Sequence, residues 1–453
     1  MEKQGIELAK ALETPNVLKL RKLQDALHAK AKGSPDYRFY LLYDKVYRED
    51  VLTIAYYRCE ANKGAAGVDG QTFADIEAYG VERWLGELAQ ELRAKTYRPQ
   101  AVRRVWIPKA DGKQRPLGIP TIRDRVAQMA AVLVLEPIFE ADLQPEQYAY
   151  RAKRSAQDAV LEVQSWLGRG YTEVVDADLS GYFDSIPHAE LMKSVARRVS
   201  DRHLLHLVKM WLEAPVEETD EQGRTSRTTR NRDEHQGTPQ GGVLSPLLAN
   251  LYMRRFVLGW KQLGHERRLD AHIVNYADDF VILTRHRADE AMAAMRDMMA
   301  KLKLTVNEKK TRKCSLPEET FTFLGFTFGQ QYSWKTGRAY IAPTPATKKV
   351  QGICDKISEE TRVQTTYRTA REQVTRLNQM LVGWATYFRL GYVTAAWQTV
   401  QQHACRRLRR WLRRKHKEKT GRASRYGDLQ LYEGWGLVHL LRRVRRLSLW
   451  AKP

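Results

Sequence analysis

The sequence predicts an α+β fold in two parts. A sheet-bearing stretch fills the first three-quarters of the chain, and an all-α, strongly basic remainder follows. Three observations carry this expectation. Ala271 to Asn275 and Phe280 to Leu283 are short β-type runs meeting at Tyr276-Ala277-Asp278-Asp279, the pattern of a hairpin with an acidic tip. Glu173 to Asp178 is a second strand-like run that ends in acids, with Asp176 and Asp178 two apart and so on one face. Beyond about residue 341, Pro343 and Pro345 mark a linker. Apolar spacing then turns helical, with Leu377, Leu381, Trp384, Tyr387 and Phe388 on one bundle face.

Composition sets the partner class. At 453 residues the chain can hold two or three domains, and its net charge of +23 favours polyanions, nucleic acid first. No apolar run reaches membrane-spanning length, and the N-terminal residues mix charges without a signal-peptide core, so no membrane partner is expected and the expected place is the cytoplasm. Cys59, Cys314, Cys354 and Cys405 stand far apart with no C-x-x-C pair. They read as buried or idle thiols and not as a disulfide or zinc framework.

Taken in order, residues 1–35 read as a basic helical extension with Val17, Leu20, Leu23 and Leu27 at helical spacing, ended by Gly33-Ser34-Pro35. Tyr37 to Cys59 reads as one aromatic-rich helix with most of its rings in the core. Asn62 to Gly70 is a glycine-rich turn. Val102 to Pro108 and the stretch from Lys113 to Pro120 form a basic hairpin about Asp111-Gly112, able to fold over a triphosphate or to serve as a charged edge. Ile122 to Phe139 is a core helix, as is Arg287 to Leu304 with its stripe of Met292, Met295 and Met299. Helices are expected over His188 to Val199 and Arg202 to Leu212, and an exposed loop or β-extension over Glu217 to Gln236. Pro246 suits the first turn of the helix Leu247 to Phe256. Helices follow from Thr347, over Tyr367 to Leu390 and over Thr394 to Lys417. Residues 401–453 hold 16 Lys or Arg against three Asp or Glu. Arg406, Arg407, Arg409, Arg410, Arg413 and Arg414 then cover most of a helix whose thin apolar side is Trp411 and Leu412, a pattern for binding phosphates.

Adjacent carboxylates at a strand tip repel each other unless a cation lies between them, and a divalent metal is the usual reason for such a tip. Because strand side chains alternate faces, Asp278 and Asp279 are not equivalent, and Asp278 is the expected main ligand. A carboxylate from the segment 173–184 facing the tip would complete a set for two ions about 3.5–4 Å apart. Between the two acidic segments lies Gln236 to Pro246, in which Gly241 and Gly242 permit close backbone approach to a ligand.

Strand-Asp178-x-x-x-x-Phe183, then Pro239-Gln240-Gly241-Gly242, then Tyr276 to Asp279 resembles a reverse transcriptase. The likeness is closest to bacterial group II intron-encoded reverse transcriptases with a maturase region, and it runs from about Tyr37 to the C-terminus. It implies a right-hand polymerase with fingers, a palm bearing an antiparallel sheet, and a helical thumb, divided as 36–340 for fingers and palm, 341–400 for thumb and maturase, and 401–453 for a basic RNA- and DNA-binding segment. It implies Asp178, Asp278 and Asp279 as catalytic metal ligands for two Mg²⁺ ions, with Mn²⁺ a possible substitute, and Asp176 as a neighbour only. Lys310 matches the position of a lysine that could protonate pyrophosphate. Lys109 and Arg115 match fingertip cations. Phe183, Gln240 and Gly241 fall at the nucleotide, and Phe321 to Phe328 at a primer-grip hairpin. Relatives usually read YGFRPxRSxHD where this chain reads Tyr148-Ala149-Tyr150-Arg151-Ala152-Lys153-Arg154-Ser155-Ala156-Gln157-Asp158, departing at Ala149, Tyr150, Ala152 and Gln157 and keeping the cations Arg151 and Arg154.

The implied function is RNA-directed DNA synthesis joined to binding of group II intron RNA for splicing and retrohoming. The partners are an RNA template with DNA primer, target DNA and dNTPs, with the nucleoid as the place of work on DNA. A domesticated or defence-associated reverse transcriptase, or an RNA chaperone with little polymerase activity, are the alternatives. His403, His416 and His439 are dispersed among arginines, so a C-terminal metal-dependent endonuclease is not expected.

Overall fold

The computed structural model describes residues 15–108, 114–220, 222–239, 241–333, 336–418 and 426–442. Among them eleven strands form three sheets: β1 (Val102–Pro108), β2 (Gln114–Ile119), β3 (Glu173–Asp178), β4 (Val216–Thr219), β5 (Thr225–Thr228), β6 (Ala271–Tyr276), β7 (Asp279–Thr284), β8 (Arg312–Ser315), β9 (Phe321–Phe323), β10 (Phe326–Tyr332) and β11 (Ala339–Pro345). The strand orders are β2-β1-β4-β5, β6-β7-β3-β8 and β11-β10-β9. The mixed helix-and-sheet architecture matches the expected fold class.

The sheet β6-β7-β3-β8 is antiparallel throughout and covered on both faces. Phe280 and Ile282 of β7 enter one core with Ile273, Val175 and Ala177, while Val281 and Leu283 enter another with Val174 and Val274. Burial on both faces explains why Phe280 to Leu283 is continuously apolar and does not alternate. The first core is built on the helix Ile122–Glu140. The second holds the aromatic residues of β9 and β10, with Phe321 stacked on Phe328 at 4.9 Å between centroids.

The N-terminal helix Pro15–Gly33 docks on Ile122–Glu140 through Leu20, Leu27 and Ala31. Pro137 lies inside the long helix and has no N–H, which leaves the Leu133 carbonyl without its helical donor. Gln24 Nε2 supplies one at 2.9 Å, and His28 Nδ1 donates to the Pro137 carbonyl at 3.0 Å. Arg198, 1% exposed, closes the junction. Its guanidinium donates to the carbonyls of Ala31, Ser34, Pro35 and Tyr37 and pairs with Asp142.

The single helix expected over Tyr37 to Cys59 is broken. Phe39 bridges to Val199, and the Leu42 and Tyr43 amides donate to Asp201 Oδ2 at 2.9 and 2.8 Å. Only Tyr43–Val46 and Glu49–Ala61 are helical. A carboxylate from a distant helix start takes the amide donors there, so Tyr40 and Leu41 are exposed and only Tyr56 among the six tyrosines of the stretch is fully buried. The polar stretch after residue 216 is the hairpin β4–β5, which extends the β1–β2 sheet through a parallel β1–β4 pair. The tip of the β1–β2 hairpin, with Lys109, lies outside the described residues.

Helices Thr347–Glu360, Ala370–Tyr387 and Thr394–Lys415 form one bundle whose core runs on to Leu440. The division expected at residue 400 therefore falls inside a helix. The bundle is fastened to the β9–β10 hairpin: Tyr387 Oη donates to the Leu324 carbonyl at 3.0 Å, and Phe388 packs on Phe326 at 5.0 Å. Among the described residues no helix is long and apolar enough to cross a membrane.

Replacing Arg198 with Met should leave Asp142 with Arg197 alone and remove a donor from four carbonyls, a loss of about 1–3 kcal/mol. The expected outcome is a lower melting temperature together with faster limited proteolysis near Ser34. Unchanged cleavage would mean that the N-terminal helix does not depend on this clamp.

Candidate active site

The acidic tip is a two-residue turn, Ala277-Asp278, between β6 and β7. Ala277 has φ +58, a conformation unusual for a side chain with a Cβ, and Asn275 Nδ2 holds its carbonyl at 2.8 Å. Asp279 opens β7 and Asp178 closes β3, and the two are direct cross-strand partners. Asp278 adjoins them from the turn.

Asp178 is anchored from a third segment. Its Oδ2 accepts from Asn307 Nδ2 at 2.9 Å and from Lys310 Nζ at 3.1 Å, and its amide donates to Thr311 Oγ1 at 3.3 Å. Burial first, then the charges of Asp278, Asp178 and Asp176, push the Asp279 carboxyl up to about 6. Burial also raises Asp278, aided by Asp178 and opposed by Arg115 and Lys310. Asp176 is likewise pushed up to about 6 by burial, against the attraction of Arg312, whose Nε lies 3.8 Å away. Four carboxylates thus share a region short of positive charge, and a cation there would be favoured by all of them. Among the described residues no group of three or more His, Cys, Asp or Glu side chains is arranged to hold a metal ion by itself.

The nucleotide-side residues are partly assembled. Arg115 on β2 is near enough to act on Asp278. Gly241 has φ +106, and a Cβ there would stand 2.2 Å from the Gly118 carbonyl oxygen, so only glycine lets this loop lie against β2. Buried Gln128 holds the same loop, its Oε1 accepting from the Val243 amide at 2.9 Å. Phe183 is 8% exposed in the short helix Tyr182–Ser185, and its carbonyl accepts from the Thr238 amide at 2.6 Å. Gln240, like Lys109, lies outside the described residues.

Three neighbours of the site escape the sequence reading. Asn307 and Thr311 sit in the run from which the sequence singles out Lys310 alone. Tyr150, with φ +54, lies where burial first and then the Asp278 charge raise its hydroxyl pKa. Its one signal is the departure at Tyr148 to Asp158.

The arginines of Thr394–Lys415 divide between two tasks. The apolar side of this helix is broad, with Trp397, Val400, Leu408, Trp411 and Leu412 in the bundle core. Arg407 departs from the expected RNA-facing set. It turns inward, donating to Thr361 Oγ1 at 3.0 Å and to the Ser358 carbonyl at 2.7 Å, where the end of Thr347–Glu360 leaves carbonyls unpaired. Arg409 donates to the Tyr426 carbonyl at 2.8 Å and pairs with Asp428. Arg406, Arg409, Arg410, Arg413, Arg414 and Lys417, with Glu418, line an open trench of about 570 Å³.

Residues 107–328 match the family described as reverse transcriptase (RNA-dependent DNA polymerase), and residues 350–427 match the group II intron, maturase-specific domain. Protein YkfC of Escherichia coli (strain K12) is 33% identical over 344 residues, covering 68% of this chain and 87% of YkfC. The group II intron-encoded protein LtrA of Lactococcus lactis subsp. cremoris is 31% identical over 285 residues, covering 62% of this chain and 45% of LtrA. The chain belongs to the group II intron reverse transcriptase/maturase family. The putative COX1/OXI3 intron 1 protein of Saccharomyces cerevisiae is 26% identical over 374 residues, covering 71% of this chain and 43% of that protein. The chain thus spans under half the length of LtrA and of the yeast protein. Its enzyme class is RNA-directed DNA polymerase. The reverse transcriptase match runs from β1 into β10 and takes in all four site carboxylates, and the maturase match takes in most of the bundle and its trench.

A carboxyl whose pKa is raised by folding stabilises the fold while protonated, and that contribution is lost as pH climbs through the folded value. For Asp279 the repulsive, ionised state is therefore reached above about pH 6, with Asp278 shifted in the same direction, and there a cation has most to relieve. Mg²⁺ should raise the melting temperature at about pH 7.5 and raise it much less at about pH 5. The difference should vanish in the double variant Asp278→Asn, Asp279→Asn. A Mg²⁺ effect independent of pH would place the cation elsewhere.

Proposed function

We propose that this protein copies RNA into DNA at the β3–β7 carboxylates and grips group II intron RNA with its helical bundle, assisting splicing and retrohoming by target-primed reverse transcription. One observation carries the reading: Asp178 and Asp279 are cross-strand partners with Asp278 in the adjoining turn and Lys310 within 3.1 Å of Asp178. In this reading the sheet β6-β7-β3-β8 is the palm, the sheet β2-β1-β4-β5 belongs to the fingers, and the bundle from Thr347 is thumb and maturase.

Asp178, Asp278 and Asp279 would hold two Mg²⁺ ions, with Mn²⁺ a substitute. Bound there, the ions would supply activation of the primer 3′-hydroxyl and neutralisation of the leaving pyrophosphate. The remaining roles fall to the chain's own groups. Arg115 and Lys109 hold the triphosphate, Arg by a bidentate fork and Lys as a point charge. Gln240 and Gly241 let the backbone approach the nucleotide closely. Phe183 meets the sugar, where its ring excludes a 2′-hydroxyl. Lys310 delivers a proton to pyrophosphate. The trench of Arg406, Arg410, Arg413 and Arg414 follows an RNA backbone, while Arg407 holds the bundle together beneath it.

Asp178→Ala or Asp278→Ala should abolish primer extension while intron RNA binding survives. Full extension by the Asp178 variant would remove the carboxylates from the chemistry. Phe183→Ala should admit rNTPs, and unchanged sugar discrimination would refute its role as a gate.

Neutralising Arg410, Arg413 and Arg414 to Gln should weaken intron RNA binding and flatten its salt dependence, by roughly one unit of slope for each phosphate the trench no longer holds. Arg407→Met should instead lower the melting temperature of the protein. If the triple variant loses extension on a short RNA–DNA duplex as steeply as it loses intron binding, the trench is a general duplex grip.

A further inference from the structure

The two donors on Asp178 Oδ2 differ in kind. Lys310 reaches it from a side chain that is 66% exposed, at the end of a flexible stem. Asn307 reaches it from a half-buried position tethered through its backbone. The Asn307 amide donates to the Asp178 carbonyl at 2.8 Å, the Ser180 amide donates to the Thr305 carbonyl at 2.9 Å, and Leu179 bridges Val306 in antiparallel fashion. Residues 305–307 therefore run beside 178–180 as a short extra strand, and the Asn307 side chain is delivered to the carboxylate by that pairing. Among the described residues Oδ1 of Asp178 receives no hydrogen bond, while Oδ2 receives two.

We propose that Asn307 is a positioning residue for the metal-binding carboxylate of Asp178. Its amide occupies Oδ2, fixes the plane of the carboxylate and leaves Oδ1 for the cation. The carboxylate torsion of Asp is broad and two-fold, so without this bond the group would have to be ordered by the ion itself. A neutral amide is the right donor for the task. It orients the oxygen without adding positive charge that competes with the ion, and without adding a further negative charge beside Asp176, Asp278 and Asp279. Lys310 has the complementary role of a resident counter-ion. Its charge stabilises the crowded acids and gives way when a divalent cation arrives, which frees the ammonium for phosphate. The inference rests on the reading of Asp178 as a metal ligand.

The test uses the full chain without primer or nucleotide. Tb³⁺ luminescence is titrated and then displaced by Mg²⁺, and melting is followed in parallel. Outer partners of metal ligands are typically worth roughly 10–100-fold in metal affinity. Asn307→Ala should weaken Tb³⁺ and Mg²⁺ binding by about tenfold with little change in melting temperature. The similarly sized Asn307→Leu, which keeps the backbone tethers, adds no charge and cannot donate, should weaken the competition by Mg²⁺ as well. Lys310→Met should act in the opposite direction and tighten Tb³⁺ binding, since it removes a competing charge. In primer extension the Asn307 variants should lose more at low Mg²⁺ than at saturating Mg²⁺.

Asp178→Asn distinguishes a failed ligand from a failed positioner. If that variant binds Tb³⁺ as the parent does, Asp178 is no ligand and the underlying reading fails. If it loses Tb³⁺ while both Asn307 variants bind normally, the ligand stands and the positioning role falls. A lower melting temperature with unmoved metal affinity would make Asn307 a structural residue only, and weaker metal binding in Lys310→Met would overturn the division of roles.

Discussion

β7 is hydrogen-bonded to β3 from Glu173↔Thr284 to Asp178↔Asp279 and to β6 on its other side, with its two faces in two different cores. The rest of the molecule depends on this register. A slip of one residue would exchange Phe280 and Ile282 with Val281 and Leu283, turning each set toward the wrong core. The same slip would carry Asp279 away from Asp178. Packing energy far larger than any single polar contact therefore sets the separation of the acids, and the site inherits its geometry from apolar side chains that never touch a substrate.

Those acids are held together against their own repulsion. Burial is the first cause of the raised pKa values of Asp176, Asp278 and Asp279, and repulsion among the acids adds to it. The compensating cations come from three separate parts of the chain: Arg115 from β2, Lys310 from the turn after residue 305, and Arg312 from β8. None of them closes the site.

The C-terminal bundle likewise divides its arginines between structure and surface. One face of Thr394–Lys415 fills the core with Trp397, Leu408 and Trp411, and Arg407 at its edge is used as a multiple donor to the end of a neighbouring helix. Five arginines and Lys417 remain around the trench. The bundle in turn is tied by Tyr387 and Phe388 to the β9–β10 hairpin, whose aromatic residues share a core with Val281 and Leu283 of β7. The bundle and the sheet β6-β7-β3-β8 are thus linked through the aromatic residues of β9 and β10.

The sequence by itself determined what is local. The hairpin around Tyr276 to Asp279, the strand ending at Asp178, the core helix from Ile122 and the bundle helices all follow from periodicity and turn chemistry within a few residues, and the motif order pointed to the family. Composition announced a polyanion partner without saying which arginines would serve it. What tertiary structure alone decided are the meetings between distant segments. Asp201 breaks the helix expected after Tyr37 because its carboxylate comes from elsewhere to take the Leu42 and Tyr43 amides. Arg407 looks identical to Arg410 in sequence, and only the end of Thr347–Glu360 beside it makes it a structural donor. Asn307 sits in a run of charge with no pattern of its own, and it matters because residues 305–307 pair beside Asp178. Side-chain periodicity reports which face an element buries, whereas a hydrogen bond between residues more than a hundred positions apart exists only once the chain has packed.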